Sequence, residues 1–390
     1  MEIIKYLVKK NKKINLAVPI VTGSELKYLK NCVDTGWLST AGPLITKFEK
    51  KICSITKSKY AVACMNGTSA LHISLLLAGV KKNHEVIVPT LTFIAPINAV
   101  KYCHAEPIFM DCDYKFNLDI EKTLEFINKN TFQKNGYCIN QKTNKKISAL
   151  ILVHVWGNPV DFFKLIKVCK SKNIKIIEDA SESFGSFALL KNKKKHTGTM
   201  GFLGCFSFNG NKIITSGGGG AIITNNKNIQ KKARYLTQQA KNSKIEFVHN
   251  EIGYNYRMTN IQAAIGLGQL EHFSKILNKK KYIYNSYSKI FYNNKKFKIL
   301  EHDKYSNCWM NLLIFKSVKK PNILKYCKYL SSKGVEARPV WKPNHLQKQF
   351  LKCQKYKLVK SIDLYNKSLC LPSSAEIDNL DIKKIFSFLD

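Results

Sequence analysis

The sequence predicts an α/β protein in which a large, mostly parallel-sheet domain is followed by a smaller C-terminal α+β domain. From about residue 59, short apolar strands alternate with helical segments, and strands separated by helices pair in parallel through crossovers. Past residue 259 the pattern changes to a long helix and then to shorter elements rich in Lys and Asn. Because the chain has 390 residues and a domain usually holds roughly 100 to 200, we divide it into 15–270 and 271–390.

Short apolar runs bounded by turn-forming residues mark the strands of the large domain. The predicted strands lie at 60–64, 85–89, 108–111, 149–154, 174–178, 204–208 and 220–224. Apolar residues at helical spacing predict helices at 69–78, 160–172 and 260–284. Residues 130–147 are polar and predict an excursion or hairpin between two elements.

Composition excludes several classes of protein. The formal net charge is +38, but only three of the 64 basic residues are arginines, whose forked side chains dominate base recognition, so we expect no nucleic-acid partner. No apolar run reaches the roughly 18 residues of a membrane span, so we expect a cytoplasmic protein that binds no membrane. The 12 cysteines include no CxxC pair, and we expect no metal site.

The first informative turn follows the strand at 60–64. Here Asn66 and Gly67 precede Thr68 and Ser69, which open the next predicted helix. The free N–H groups of a helix N-terminus, with hydroxyls beside them, can bind a phosphate. An ordinary helix cap explains the same residues equally simply.

The second informative position is Asp179, at the end of the strand at 174–178. An acid at the carboxyl end of a parallel strand is where α/β sheets place groups that face a ligand. The alternative is that Asp179 caps the following helix.

The third informative segment runs from Ser207 to Lys212 and is followed by the glycine run 217–220. Glycines permit the close approach of a ligand or of another strand. The alternative is a flexible loop in which Lys212 has no special role.

Together these three segments match the requirements of pyridoxal 5′-phosphate. Its aldehyde needs an amine with which to form a Schiff base, and its ring nitrogen needs a carboxylate to stay protonated. Its phosphate needs the hydrogen-bond donors at the end of a helix. Lys212, Asp179 and the Thr68–Ser69 turn offer these groups in turn. Phe93 is a candidate ring to stack on the cofactor, with plain core packing as the alternative.

Seven stretches of the chain, in order, resemble the DegT/DnrJ/EryC1/StrS sugar aminotransferases. The stretches are GWLSTAGPLITKFE (36–49), NGTSALH (66–72), PTLTFIAPINAV (89–100), EDASESFGS (178–186), CFSFNGNKIITSGGGGAI (205–222), NEIGYNYRMTNIQAA (250–264) and ARPVWKPNHLQ (337–347). The resemblance covers nearly the whole chain. It implies a pyridoxal-phosphate-dependent transferase of fold type I, with the aspartate-aminotransferase architecture.

The resemblance also assigns roles to single residues. Lys212 matches the lysine that binds the cofactor aldehyde, and Asp179 matches the partner of the pyridine nitrogen. Glu182 matches the residue near the 3′ oxygen of the cofactor, and Phe93 matches the stacking ring.

The phosphate ligands of the family match Thr68, Ser69 and Ser207. Asn255 matches a residue that reaches the phosphate from the neighbouring subunit, which implies a homodimer with shared active sites.

The branch of the family that the sequence most resembles aminates C4 of UDP-linked 4-keto-6-deoxy-N-acetylhexosamines in bacillosamine and legionaminic acid biosynthesis. It implies L-glutamate as amino donor, a nucleotide keto-sugar as acceptor and a place in surface-glycan biosynthesis. The alternatives are a C3 or GDP-sugar aminotransferase of the same family, or a catalytically silent binding or regulatory protein on this fold. The loop at 154–158 departs from the His-Leu-Tyr-Gly-His pattern of many relatives, which leaves its substrate contacts open.

Arginine is so scarce in this chain that its positions carry information. Arg257 and Arg338 both lie in the matched stretches, and bidentate recognition of an anion would explain why Lys does not serve there. We expect one or both to bind the donor carboxylate or the sugar-nucleotide diphosphate, with a structural ion pair as the alternative. Lys342 and His345 are further candidates for substrate binding, as is Trp341, for which packing is the alternative.

Overall fold

The computed structural model describes residues 13–243, 245–316 and 321–389. Its helices, in chain order, are α1 Ser24–Thr35, α2 Pro43–Thr56, α3 Gly67–Leu77, α4 Ala95–Tyr102, α5 Ile120–Lys129, α6 Phe163–Ser171, α7 Lys227–Thr237, α8 Asn260–Glu271, α9 Phe273–Ile290, α10 Ile323–Ser332, α11 Lys360–Lys367 and α12 Asn379–Leu389. Short 3-10 turns lie at Val155–Gly157, Asn344–Leu346 and Lys348–Phe350. No helix of the described ranges is long and apolar enough to cross a membrane.

The strands alternate with these helices through the first two thirds of the chain. They are β1 Tyr60–Cys64, β2 Glu85–Pro89, β3 Glu106–Met110, β4 Thr131–Lys134, β5 Tyr137–Asn140, β6 Ile147–Val153, β7 Lys175–Asp179, β8 Phe187–Leu190, β9 Lys193–His196, β10 Leu203–Ser207, β11 Gly220–Thr224, β12 Phe297–Ile299, β13 Asn311–Phe315, β14 Arg338–Pro339, β15 Lys355–Tyr356 and β16 Ser368–Leu371. Each strand predicted for the large domain is confirmed to within about two residues.

The described strands form one large, mostly parallel sheet in the order β1-β11-β10-β7-β6-β2-β3-β15. Only β11 runs against its neighbours, pairing antiparallel with both β1 and β10. Every residue of β6 is buried, because helices cover both faces of a parallel sheet. The α/β prediction is therefore confirmed.

The polar segment 130–147 forms the predicted hairpin. Strands β4 and β5 pair antiparallel, with Lys134 opposite Tyr137. Between them, Asn135 and Gly136 both have positive φ, at 50° and 76°. Asn-Gly is the favoured pair for such a two-residue turn, because Asn and Gly tolerate left-handed backbone better than other residues.

The single helix predicted at 260–284 is wrong. The chain forms two helices, α8 and α9, which are separated at His272, where φ is −106° and ψ is 11°. The His272 ring lies 3.0 Å from the Ser24 hydroxyl, so this residue is held by a contact to α1 instead of continuing the helix. Apolar spacing continues through the break, so it could not reveal it.

The C-terminal part contains a second sheet, which is antiparallel and has the described order β12-β13-β16-β14. This part also returns to the large sheet, since Lys355 and Tyr356 of β15 pair in parallel with β3. The N-terminal segment crosses the other way, with the amide of Ile14 donating to the Gly334 carbonyl at 2.8 Å. The division into 15–270 and 271–390 stays a prediction.

Candidate active site

The site lies where the parallel strands end. Asp179 is the last residue of β7 and Ser207 the last of β10, and the two strands pair with Cys205 opposite Asp179. The turn after β1 reaches the same edge, because β11 bridges β1 and β10. The carboxyl ends of these strands therefore bring the three informative segments of the sequence to one place.

The turn after β1 forms a tight cradle at the N-terminus of α3. The Asn66 side chain accepts hydrogen bonds from the Ser69 amide at 2.8 Å and from the Ser69 hydroxyl at 2.9 Å, so Asn66 is the helix cap. A Cβ on Gly67 would lie 2.8 Å from the Cβ of Ser207 and 3.3 Å from the Ser181 hydroxyl. Glycine is required here, and the hydroxyl groups of three segments converge on a helix N-terminus, which suits a phosphate.

The glycine run 217–220 permits a close backbone approach. A Cβ on Gly220 would lie 2.5 Å from the carbonyl group of Asn66, and the Gly219 amide donates to the Met65 carbonyl at 2.7 Å. The run therefore lets the beginning of β11 contact the turn after β1, and side chains at these positions would prevent that contact.

Two acidic side chains are buried at the centre of the site. Asp179 is 4% exposed and its Oδ1 accepts a hydrogen bond from the Ser181 amide at 3.0 Å. Burial raises the pKa of Asp179, and it raises the pKa of Glu182 to about 7 although Lys212 lies beside it. Because nearby charges and hydrogen bonds do not offset the effect of burial on these pKa values, the two carboxylates favour a cationic partner, such as a protonated ring nitrogen.

Lys212 lies beside these carboxylates. Its Nζ is 3.5 Å from Glu182 Oε1 and 4.3 Å from the centre of the Trp309 ring. The Trp309 indole N–H donates to the Asn211 carbonyl at 2.7 Å, which fixes the ring against the lysine turn. The Ser216 amide closes the loop by donating to the Phe208 carbonyl at 2.9 Å, so Lys212 lies in an ordered turn.

Two tryptophans complete the wall around the lysine. Trp156 stacks on Trp341 with ring centroids 3.8 Å apart, and on Trp309 with centroids 5.9 Å apart. The backbone N–H of Trp156 donates to Glu182 Oε2 at 2.8 Å. Trp309 could not be recognised from the sequence, because no motif surrounds it and its contact to Lys212 joins residues far apart in the chain.

Phe93 lies at the open side of this wall. It is 52% exposed, which excludes core packing, and its ring centroid is 6.2 Å from that of Trp341. The loop that carries it is held by Asn344, whose side chain donates to the carbonyls of Thr90 and Thr92. Phe93 therefore has a free face for the predicted cofactor stacking.

The predicted substrate residues are divided between buried and exposed positions. His345 is buried, its Nδ1 lies 2.6 Å from the Thr90 hydroxyl, and burial lowers its pKa. Lys342 is exposed. The Arg338 side chain is 69% exposed and forms an ion pair with Glu336 at 2.7 Å. This exposed pair corresponds to the alternative in which Arg338 has a structural role.

Arg257 and Asn255 lie in a segment that passes the end of β1, where Arg257 forms an isolated antiparallel bridge with Cys64. The Arg257 guanidinium is half-buried, and burial lowers its pKa. The amide oxygen of Gln238, turned towards Arg257, accepts two hydrogen bonds from the guanidinium, at 2.8 and 3.0 Å. Asn255 is exposed and bridges to Gln238. Thr68 is half-buried at the start of α3. The roles assigned to Arg257, Asn255 and Thr68 stay predictions.

The amine of Lys212 lies beside one buried carboxylate, and a second buried carboxylate lies at the same strand edge. Together with the nearby helix N-terminus and its hydroxyls, these groups define the site of a pyridoxal-phosphate-dependent enzyme of fold type I. The described residues fit the cofactor: the close approach at Gly67 brings Ser207 and Ser181 beside the N-terminus of α3, which suits a phosphate, and the burial of Asp179 favours a cationic partner such as the ring nitrogen. They contain no cluster of side chains suited to a metal ion.

Known proteins agree with this assignment. The chain matches the DegT/DnrJ/EryC1/StrS aminotransferase family over residues 19–390. It is 37% identical over 362 residues to the GDP-perosamine synthase of Escherichia coli O157:H7, with 93% of each chain covered. It is 29% identical over 363 residues to the UDP-4-amino-4,6-dideoxy-N-acetyl-beta-L-altrosamine transaminase of Campylobacter jejuni, with 90% of this chain and 91% of that protein covered.

A solved structure gives the same fold. Helicobacter pylori PseC, an aminotransferase involved in the biosynthesis of pseudoaminic acid, superposes with a TM-score of 0.86 at 23% identity over 97% of this chain and 98% of that chain. The chain therefore belongs to the DegT/DnrJ/EryC1/StrS aminotransferase family. The predictions of fold type I, of pyridoxal phosphate as cofactor and of nucleotide-sugar aminotransferase activity are confirmed.

Proposed function

We propose that this enzyme transfers the amino group of L-glutamate to C4 of a nucleotide-linked 4-keto-6-deoxy sugar. The observation that carries the proposal is the position of the Lys212 amine, 3.5 Å from the buried carboxylate of Glu182 and at the same strand edge as Asp179. An amine so placed can move a proton within a site from which its neighbours exclude water.

Each side chain has a chemical task in this reaction. Pyridoxal phosphate, when bound, supplies the electron sink that makes a C–H bond beside the transferred nitrogen acidic. Asp179 would keep the ring nitrogen of the cofactor protonated, and its burial would keep this ion pair out of water. Lys212 would move the proton from the donor carbon to the carbon of the cofactor aldehyde, and later a proton from that carbon to C4 of the acceptor sugar, for which its amine must be neutral during part of the cycle. Glu182, with its pKa raised to about 7, can hold or release a proton near neutral pH.

The nucleotide is best supported as GDP. Three relatives between 33% and 37% identical to this chain are named GDP-perosamine synthase, whereas the UDP-sugar transaminase of Campylobacter jejuni is 29% identical. The GDP-perosamine synthases act at C4, which favours C4 as the aminated carbon. The UDP-linked N-acetylhexosamine predicted from the sequence is the second candidate, and its place in surface-glycan biosynthesis stays a prediction.

A homodimer with shared sites is supported by the exposed surface around Asn255. Apolar side chains are exposed in the segment that leads to this residue, with Phe247 at 85% and Ile252 at 83%. Trp37 and Leu38 are exposed as well, and the Trp37 carbonyl accepts a hydrogen bond from Asn260, which brings this surface to the same region. Several large apolar side chains exposed in one region favour an interface, and a second copy of this chain would cover them.

The test is a product analysis. Purified protein is incubated with L-glutamate and with GDP-linked or UDP-linked 4-keto-6-deoxy sugars, and the products are identified by mass spectrometry and NMR. We expect the GDP-linked sugar to gain an amino group at C4. The Lys212→Ala variant is the matched control and should give no product. Amination at C3, or no amination of any sugar in the panel, would refute the proposal.

A further inference from the structure

The backbone of Trp156 has a conformation that bulky residues avoid. Its φ is 58° and its ψ is 15°, in the left-handed region. A bulky residue is a rare outlier there, and such outliers persist where the surrounding structure requires them, often at functional sites. Gly157, the next residue, has φ of 86° and could accept such a backbone without strain.

The Trp156 side chain carries an unused donor. Trp156 is 2% exposed, and its indole N–H has no hydrogen-bond partner among the residues that the structure describes. A buried donor without an acceptor is costly, and native proteins rarely keep one without a reason. By contrast, the indole N–H of Trp309 in the same stack is bonded to the Asn211 carbonyl.

The ring cannot easily turn to find an acceptor elsewhere. It lies nearly parallel to Trp341, at 14°, and to Trp309, at 21°, and its own backbone N–H is held by Glu182. The unused N–H therefore has a fixed position at the edge of a packed ring. The ring lies close to Lys212, because Trp309, which stacks against it, has its ring centre 4.3 Å from Lys212 Nζ.

We propose that Trp156 is a specificity-determining residue whose indole N–H donates a hydrogen bond to an uncharged oxygen of the keto-sugar. The inference rests on the proposed function. A sugar oxygen fits better than the donor carboxylate, because the buried carboxylate of Glu182 repels a second anion and the aromatic surface of Trp341 and Phe93 suits the C–H faces of a sugar ring. The strained backbone is then retained because it places this donor.

The test separates the two halves of the reaction in the holoenzyme. Trp156→Phe keeps a flat ring and the backbone N–H, and replacement of Trp156 by benzothienylalanine keeps the two-ring shape and removes only the N–H. The conversion of the cofactor by glutamate is followed by absorbance. The affinity for the nucleotide amino-sugar product is measured by calorimetry.

We expect both variants to bind the sugar roughly tenfold more weakly, as for one lost hydrogen bond, and to lose clearly less than that in the rate of the glutamate reaction. Unchanged sugar affinity in the benzothienylalanine variant overturns the inference, and so does an equal loss in both half-reactions. If the wild type itself fails to react with glutamate, the proposed function fails. If the wild type reacts with glutamate and both variants bind the sugar as tightly as the wild type does, this inference alone fails.

Discussion

Asp111 offers a stability test that can be worked from the structure. Its buried carboxylate follows β3 and accepts hydrogen bonds from Lys122 Nζ at 2.6 Å and from the amides of Val359, Lys360 and Ser361, where α11 begins. Burial alone raises the pKa of Asp111, but these hydrogen bonds outweigh it and lower the pKa from 3.8 to about 2. The carboxylate therefore joins the C-terminal part of the chain to the large sheet.

The shift gives the magnitude. A pKa lower by nearly two pH units corresponds to about 2 kcal/mol of stability at neutral pH. Because the folded pKa is depressed, this stability is present above pH 4 and is lost as the pH falls through 2. Asp111→Asn should lower the free energy of unfolding by about 2 kcal/mol or more at pH 7, since the amide cannot accept as many hydrogen bonds.

Urea unfolding at pH 7 and pH 3 measures the difference between wild type and variant. It should shrink to roughly half at pH 3, where the wild-type advantage is partly titrated away. Asp34→Asn is the control, because Asp34 makes an exposed pair with Lys30 in α1 and should change stability by less than about 0.5 kcal/mol. A difference for Asp111→Asn that is the same at both pH values would refute the reasoning.

Three further predictions follow from the site and the core. Lys212→Ala should abolish turnover and remove the absorbance band of the lysine-bound cofactor, and normal transaminase activity in this variant would reject the assignment. Arg257→Lys and Arg338→Lys should each raise the KM of one substrate if the arginines bind anions, and steady-state kinetics with unchanged KM for both substrates would leave them a structural role. Lys280 is buried and donates to the Trp309 and Ser373 carbonyls, and burial lowers its pKa to about 8. The buried charge of Lys280 therefore destabilises the fold below pH 8, and this effect fades as the pH rises towards 10.5. Lys280→Met should raise the free energy of unfolding, measured in urea, by about 1 to 3 kcal/mol at pH 7 and by much less at pH 10.

Local patterns predicted the strands of the large sheet well, except for β15, because each of the others is a short and largely buried apolar run. The direction of β11 was not predictable in this way, since an antiparallel strand that is buried in the sheet has the same apolar composition as its parallel neighbours. The break at His272 also depends on a contact with Ser24, a residue that is far away in the sequence. Contacts of this kind leave no local pattern.

The active site shows the same division between local and distant contributions. Lys212, Asp179 and the Gly67 turn were predicted because each lies in a short segment whose chemistry can be recognised from the sequence. The aromatic wall combines Trp156, Trp309 and Trp341 from three distant segments, and each of them alone would suit an ordinary core. Since the cofactor-binding groups lie within local turns while the wall depends on tertiary packing, the sequence reveals the type of chemistry more readily than the substrate. The choice of sugar is therefore best tested at the wall, where Trp156 has a strained backbone and a donor without an acceptor.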